Sequence, residues 1–258
     1  MNELVSIIMP NYNASKYLPE ALESVISQSY ENWELLIVDD CSTDDSVSII
    51  NDYQKKDSRI KLFVNQSNKG AAFSRNYALI HATGKWIAFL DSDDIWFKNK
   101  LSSQIKFMKN NKYHFSYTKY RQVDEHSIDL GKTISGPKKV SKRKMFHFNY
   151  LGCLTVMYDK DYIGLIQVDD RLKSKNDYAM WLKASQKSSC YLFDETLAFY
   201  RVRKKSISHG SFKKSIRNQF RLYKIGMNMS FLRSSWHLLI NMLYGSLKKV
   251  CYVRRKRL

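Results

Sequence analysis

Acidic residues are missing altogether from residues 201–258, which carry 16 Lys and Arg. Nucleotide-binding glycine motifs are missing too: no GxGxxG follows a strand-like run and no GxxxxGK[ST] occurs, so neither a dinucleotide fingerprint nor a P-loop can hold phosphate. With three prolines and nine glycines in 258 residues, the chain has no low-complexity tract, and no segment repeats. The four cysteines, Cys41, Cys153, Cys190 and Cys251, lie far apart without metal-ligand spacing, which suits reduced thiols. The opening MNELVSIIMPNYN has no basic leader region and carries Glu3, so it does not read as a signal peptide and the chain is expected in the cytosol. The uncharged stretch SSWHLLINMLYGSL, residues 234–247, falls short of the roughly 20 residues that span a bilayer.

What is present begins with charge. The net charge of +19 suggests a nucleic-acid binder until it is mapped: residues 1–200 hold 27 basic against 24 acidic side chains, so the basicity belongs to the tail. An apolar segment between Arg233 and Lys248, followed by KKVCYVRRKRL, points to a helix lying on an anionic membrane surface. A core helix with a solvated basic end is the plainer alternative, and no nucleic-acid partner is expected. At 44% hydrophobic residues the chain is globular and long enough for one large α/β domain or for one domain with an appendage.

Apolar runs at 4–9, 33–38, 60–64 and 86–90 start 29, 27 and 26 residues apart. Helical spacings lie between them: Leu18, Leu22, Val25 and Ile26; Val47, Ile50 and Tyr53; Phe73, Tyr77 and Ile80. Ser42, three residues before Asp45, reads as the N-cap of the second helix. Continuous apolar strands alternating with helices predict a parallel sheet covered on both faces. Ligands of such sheets bind beyond the carboxyl ends of the strands, where Pro10-Asn11-Tyr12-Asn13, Asp39-Asp40 and Asp91-Ser92-Asp93-Asp94 would converge. After residue 112 the runs become shorter and aromatic, and the polar stretch 129–144 reads as a loop.

The segment FLDSDDIW, residues 89–96, places three carboxylates within four positions at the end of an apolar run. Two carboxylates about 4 Å apart repel by roughly 1 kcal/mol in water and about 4 kcal/mol at an effective dielectric near 20. A divalent cation would relieve this, and Mg²⁺ is typically held by one or two carboxylates together with substrate phosphates. The alternative is that the acids cap a helix beginning near Trp96.

VSIIMPNYN, LLIVDDCSTDDS near 40, NKGAAFSRNYAL at 68–79 and FLDSDDIW, in this order and spacing, resemble the inverting glycosyltransferases of family 2, with the GT-A fold. The resemblance is close over about residues 4–110 and looser to about 210. It implies a nucleotide-sugar site formed by Pro10, Tyr12, Asn13, Asp39, Arg75, Asp91, Ser92 and Asp93, in which Asp39 reads the base. Asp91 and Asp93 match the family's DxD pair, which holds Mn²⁺ or Mg²⁺ against the diphosphate. The catalytic base is carried to Asp177 in KSKNDYAMWLKAS, where Asn176 stands in place of the family's usual acid; Asp169 and Asp170 lie nearby, and an N-cap role for Asp177 is the alternative. Arg201, Arg203 and His209 could reach the diphosphate or form a lid. Trp96 and Trp181 could stack on a sugar, though tryptophan at helical spacing is more often core.

The expected organisation is a GT-A domain over 1–210, divided into a nucleotide-sugar half (1–112) and an acceptor and base half (113–210), followed by a basic amphipathic helical tail (211–258). The resemblance implies a peripheral enzyme on the inner face of the cytoplasmic membrane. It would transfer a hexose or N-acetylhexosamine from a UDP-sugar to a hydroxyl of a lipid-linked (undecaprenyl diphosphate) or polysaccharide acceptor, forming a β-linkage in bacterial O-antigen or capsule synthesis. A GDP- or dTDP-sugar donor or a polyprenyl-phosphate acceptor stays open, and a non-enzymatic basic nucleic-acid-binding protein is the rival of another class.

Overall fold

The four apolar runs form strands β1 (Val5–Asn11), β2 (Trp33–Asp39), β3 (Ile60–Val64) and β4 (Trp86–Phe89) in the computed structural model, which describes residues 3–203 and 212–255. All seven residues of β2 are buried, as are Val5 to Met9 of β1, because helices cover both faces. The strands pair in parallel, with Ile7 opposite both Leu35 and Ala88. The covering helices are α1 (Leu18–Ile26), α2 (Ser46–Lys56) and α3 (Ala71–His81). Pro19 sits in the first turn of α1, where its missing N–H costs nothing, and Leu18, Leu22 and Val25 face the core.

Two local expectations change. Ser42 does not cap α2: the helix starts at Ser46 behind Asp45, and the Ser42 hydroxyl donates instead to Asp39. In α3 the face toward the sheet is Ala72, Ser74, Ala78 and Leu79, with Arg75 among them, while Ile80 is exposed. Small side chains let this helix lie close to β1 and β2; Phe73 and Tyr77 stack on each other at its flank, and Tyr77 meets Phe63 edge-on.

The chain continues through β5 (Ile95–Trp96), α4 (Lys100–Asn111), β6 (Phe115–Val123), β7 (Asp129–Ile134), β8 (Lys139–Val140), α5 (Lys142–His147), β9 (Met157–Asp159), α6 (Lys160–Ile163), α7 (Asn176–Ala184) and β10 (Cys190–Arg201). Then follow α8 (Phe212–Arg221), α9 (Phe231–Cys251) and β11 (Val253–Arg255). The stretch read as a loop, 129–144, is thus mostly ordered as β7, β8 and the start of α5, because β6 and β10 offer it paired edges. The helix expected near Trp96 begins at Lys100, and Trp96 lies in a strand.

The sheet runs β11-β7-β6-β9-β4-β1-β2-β3, with β10 beside β6 and reaching β5 and β8. Residue 112 falls between α4 and β6 of this one continuous sheet. Because β10 runs parallel to β6, its end at Arg201 lies next to Val123. No described helix is long and apolar enough to cross a membrane.

Candidate functional site

The loop after β1 is clamped to the loop after β2. Asn11 Nδ2 donates to Asp39 Oδ1 at 2.7 Å, Ser42 Oγ donates to the same oxygen at 2.6 Å, and the Ser42 amide donates to Oδ2 at 2.8 Å. Asn13, at φ 46°, donates its amide to Ser42 Oγ and accepts from the Thr43 amide. Asp39 is fully buried, and the groups that face outward here are those above it, with the Tyr12 ring half exposed. Asp40 turns the other way: it accepts from Asn65 Nδ2, the Lys69 amide and the Gly70 amide at 2.7–2.9 Å. Gly70 sits at φ 90°, which a side chain would strain, so the entry to α3 is fixed by a glycine and a carboxylate together.

Beyond β4 the acidic segment is held in three directions. Asp94 is buried and accepts the Arg201 amide at 2.9 Å; burial, then Asp93 and Asp91, push its carboxyl well above the usual range. Burial also raises Asp93, opposed by Arg203, whose Nε lies 2.7 Å from Asp93 Oδ2 as a charge contact without hydrogen-bond alignment. Arg201 is itself buried and hydrogen-bonds the Asp93 carbonyl, the Asp124 carbonyl, Ser127 Oγ and Glu20. Its guanidinium is therefore committed to shaping the loop from below, whereas Arg203 meets the loop's carboxylate directly. Because α4 starts at Lys100 behind Asn99, none of the three acids caps it.

Arg75 joins this loop to α7. Its two terminal nitrogens donate to Asp91 and to Asn176, and it is almost fully buried. Burial alone would lower the guanidinium pKa, but the carboxylates of Asp91 and Asp177 outweigh it and raise the value. Asn176 opens α7 and Asp177 follows in its first turn, partly exposed; the N-cap position is Lys175, so Asp177 is not the cap. Asp169 is tied to Arg171 at 2.8 and 2.5 Å, and Asp170 is exposed. Burial and the nearby Asp91 push the Cys153 thiol well up, leaving it neutral beside this group.

The structure thus brings Asp91, Ser92, Asp93, Arg75, Arg203 and Asp177 to one end of the sheet, with Pro10, Tyr12, Asn13 and Asp39 at the ends of the neighbouring strands. His209 lies outside the described residues. Trp181 is fully buried edge-on to Phe89, and Trp96 donates to the Leu154 carbonyl at 2.7 Å, so both are core. The pairings that sequence reasoning did not supply are those of Asp39 with Asn11 and Ser42, of Asp40 with the turn before α3 and of Arg201 with Glu20, together with the tie from Arg75 to Asn176. Only long-range pairing reveals them, although Asn-Lys-Gly before α3 marks a turn needing a carboxylate. Two carboxylates, each meeting an arginine through one oxygen, form a hard oxygen donor set that suits Mg²⁺ or Mn²⁺. Among the described residues no group of three or more His, Cys, Asp or Glu is arranged around a common metal position. Oxygens from a bound phosphate would complete the coordination.

Comparison with known proteins places this geometry. The profile described as "Glycosyl transferase family 2" matches residues 6–156. A protein of Bacillus subtilis described as a putative teichuronic acid biosynthesis glycosyltransferase, TuaG, is 38% identical over 234 residues, 90% of this chain and 92% of its own. WfgD of Escherichia coli, described as a UDP-Glc:alpha-D-GlcNAc-diphosphoundecaprenol beta-1,3-glucosyltransferase, is 40% identical over 212 residues, 81% of each chain. Among solved structures, S. aureus TarS 1-349 in complex with UDP-GlcNAc superposes with a TM-score of 0.71 at 22% identity, covering 96% of this chain and 74% of that one. The mannosyltransferase PcManGT from Pyrobaculum calidifontis, in complex with GDP-Man and Mn²⁺, superposes with a TM-score of 0.66 at 17% identity, covering 96% and 75%. Both share the GT-A fold.

Proposed function

The chain belongs to glycosyl transferase family 2, and from that premise we propose that it is an inverting hexosyltransferase. It moves a hexose or N-acetylhexosamine from a UDP-sugar to a hydroxyl of an undecaprenyl-diphosphate-linked or polysaccharide acceptor, with a β-linkage as product. The names of the relatives support the setting: TuaG is placed in teichuronic acid synthesis, and WfgD is named for UDP-Glc and a diphosphoundecaprenol acceptor. The observation that carries the reading is the Arg75 fork, which ties the acidic loop at Asp91 to the helix bearing Asp177 through Asn176. Donor and acceptor chemistry meet at that guanidinium.

In this reading Tyr12, Pro10 and Asn13 form the edge of the base pocket, and Asp39 supports it through Ser42 or accepts from the base. Asp91 and Asp93 would hold a divalent ion, Ser92 shapes the turn between them, and Arg203 would turn from Asp93 to the diphosphate. When bound, a Mg²⁺ or Mn²⁺ ion supplies Lewis-acid stabilisation of the charge left on the departing diphosphate. Asp177 takes the proton of the acceptor hydroxyl as it attacks the anomeric carbon from the opposite side.

The tail supplies the location. Leu232, Trp236, Leu239 and Leu243, spaced four, three and four residues apart on α9, are 58–80% exposed. With the basic residues around them they form an apolar ridge suited to the interface of an anionic bilayer, at the inner face of the cytoplasmic membrane.

Melting curves with UDP, GDP, dTDP and their sugars, with and without Mn²⁺, test the donor site. A ligand at 100 times its Kd stabilises the native state by about 2.7 kcal/mol. The expected result is stabilisation by UDP and one UDP-sugar only with metal, abolished in Asp93→Ala. Stabilisation by a GDP- or dTDP-sugar instead would overturn the donor class, and no response to any nucleotide would overturn the site.

A further inference from the structure

Away from the donor site, a cleft of about 400 Å³ opens between α5 and the C-terminal segment of α9 and β11. One wall carries Arg143, Lys144 and His147, and the other Tyr150, Tyr244 and Tyr252; among the described residues no acid lines it. Arg143 and Lys144 are exposed and have no carboxylate partner among the described residues. His147 Nδ1 is buried without a hydrogen-bond partner, and its ring lies against Tyr244 with centroids 4.9 Å apart. Burial and Arg143 keep this imidazole neutral, and burial with Tyr252 and Tyr244 pushes the Tyr150 phenol up to about 12. The cleft therefore presents two cations beside an unpartnered imidazole nitrogen to whatever enters, the pattern that recognises a phosphate ester.

Its position limits the source of that phosphate. Tyr244 follows Leu243 directly, so the cleft lies at the side of the exposed ridge of α9. A phosphate bound beside an apolar ridge is what a membrane lipid offers, headgroup in the cleft and chain along the ridge. We infer that this cleft binds the phosphodiester headgroup of an anionic phospholipid, fixing the protein on the membrane at a defined site. The inference rests on the membrane reading of α9 but adds a specific site to it.

The test compares Arg143→Gln/Lys144→Gln with a control that removes equal charge from α8, Lys213→Gln/Arg217→Gln. Both pairs are exposed, and unchanged melting temperatures verify the fold. Binding to vesicles of phosphatidylglycerol in phosphatidylcholine is measured by co-sedimentation. Thermal stabilisation is measured with dihexanoyl phosphatidylglycerol below its micelle concentration and with inorganic phosphate. The expected result is vesicle affinity at least roughly tenfold lower for the cleft variant than for the control, the difference made by one lost charge-assisted contact. The soluble lipid should stabilise wild type and control but not the cleft variant. Equal losses in both variants overturn the cleft while leaving the ridge intact. Equal stabilisation by inorganic phosphate and the soluble lipid makes it a plain phosphate site and overturns the lipid. Wild type that ignores the vesicles overturns the membrane reading and this inference together.

Discussion

Replacing Asp177 with Asn separates the proposed base from every structural role of the residue. Its carboxylate is partly exposed in the first turn of α7 and enters no side-chain hydrogen bond among the described residues. The substitution is nearly isosteric, so the stability lost is the carboxylate's interaction with the helix N-terminus, about 0.3–1 kcal/mol, plus part of its attraction to Arg75. For a domain of this size that is a melting shift of about 1–4 °C. Loss of a general base costs about 10²–10⁴ in rate, or roughly 3–5 kcal/mol at about 1.36 kcal/mol per tenfold. The assay follows UDP release with an acceptor, alongside donor affinity by calorimetry. The expected variant binds the donor as wild type does and turns over at least about 100-fold more slowly. Turnover within tenfold of wild type would refute the assignment.

Arg75→Lys keeps the charge but cannot reach Asp91 and Asn176 together; breaking one arm of a buried pair should cost about 2 kcal/mol or more in urea unfolding and weaken donor binding as well. Leu239→Asp with Leu243→Asp should lower affinity for anionic vesicles roughly tenfold or more, since burying one leucine is worth about 1.5–3 kcal/mol, with little change in melting because both side chains are exposed. These point changes are preferable to removing the tail, whose β11 pairs with β7 in the sheet. Glu34, buried and hydrogen-bonded by Lys61, Ser6 and Thr83, has its carboxyl lowered to about 2 despite the opposing effect of burial. Its folded pKa is depressed, so its stabilisation is complete above the ordinary 4.5 and lost as pH falls toward about 2. Melting temperature should therefore drop steeply in that window for wild type and less so for Glu34→Gln.

The parallel half was legible because its signals are local. Each apolar run of β1 to β4 lies within a residue or two of the strand it forms, and the polar clusters after them sit at one sheet end. The second half was less so. Residues 129–144 read as a loop since Gly131, Gly136 and the lysines carry no alternation; β7 and β8 exist because edges of β6 and β10 await them. The Phe73, Tyr77, Ile80 spacing identified a helix but the wrong buried face, because close packing on the sheet favours alanine and serine there. In the acidic segment, composition announced crowded charge; which arginine relieves which carboxylate depended on Arg75, 16 residues before Asp91, and on Arg203, more than 100 residues after Asp93.

That last dependence has a consequence for the order of assembly. The turn carrying Asp93 and Asp94 receives its shape from the amide and guanidinium of Arg201, 107 residues after Asp94. Closing so long a loop costs entropy that local contacts cannot offset. On a ribosome, the β1–β4 half can collapse as soon as it emerges, yet its acidic turn stays unformed until β10 has been made. The proposed donor site would thus be complete only once β10 has been made, and a fragment ending before β10 should fold much of its sheet and bind no nucleotide sugar.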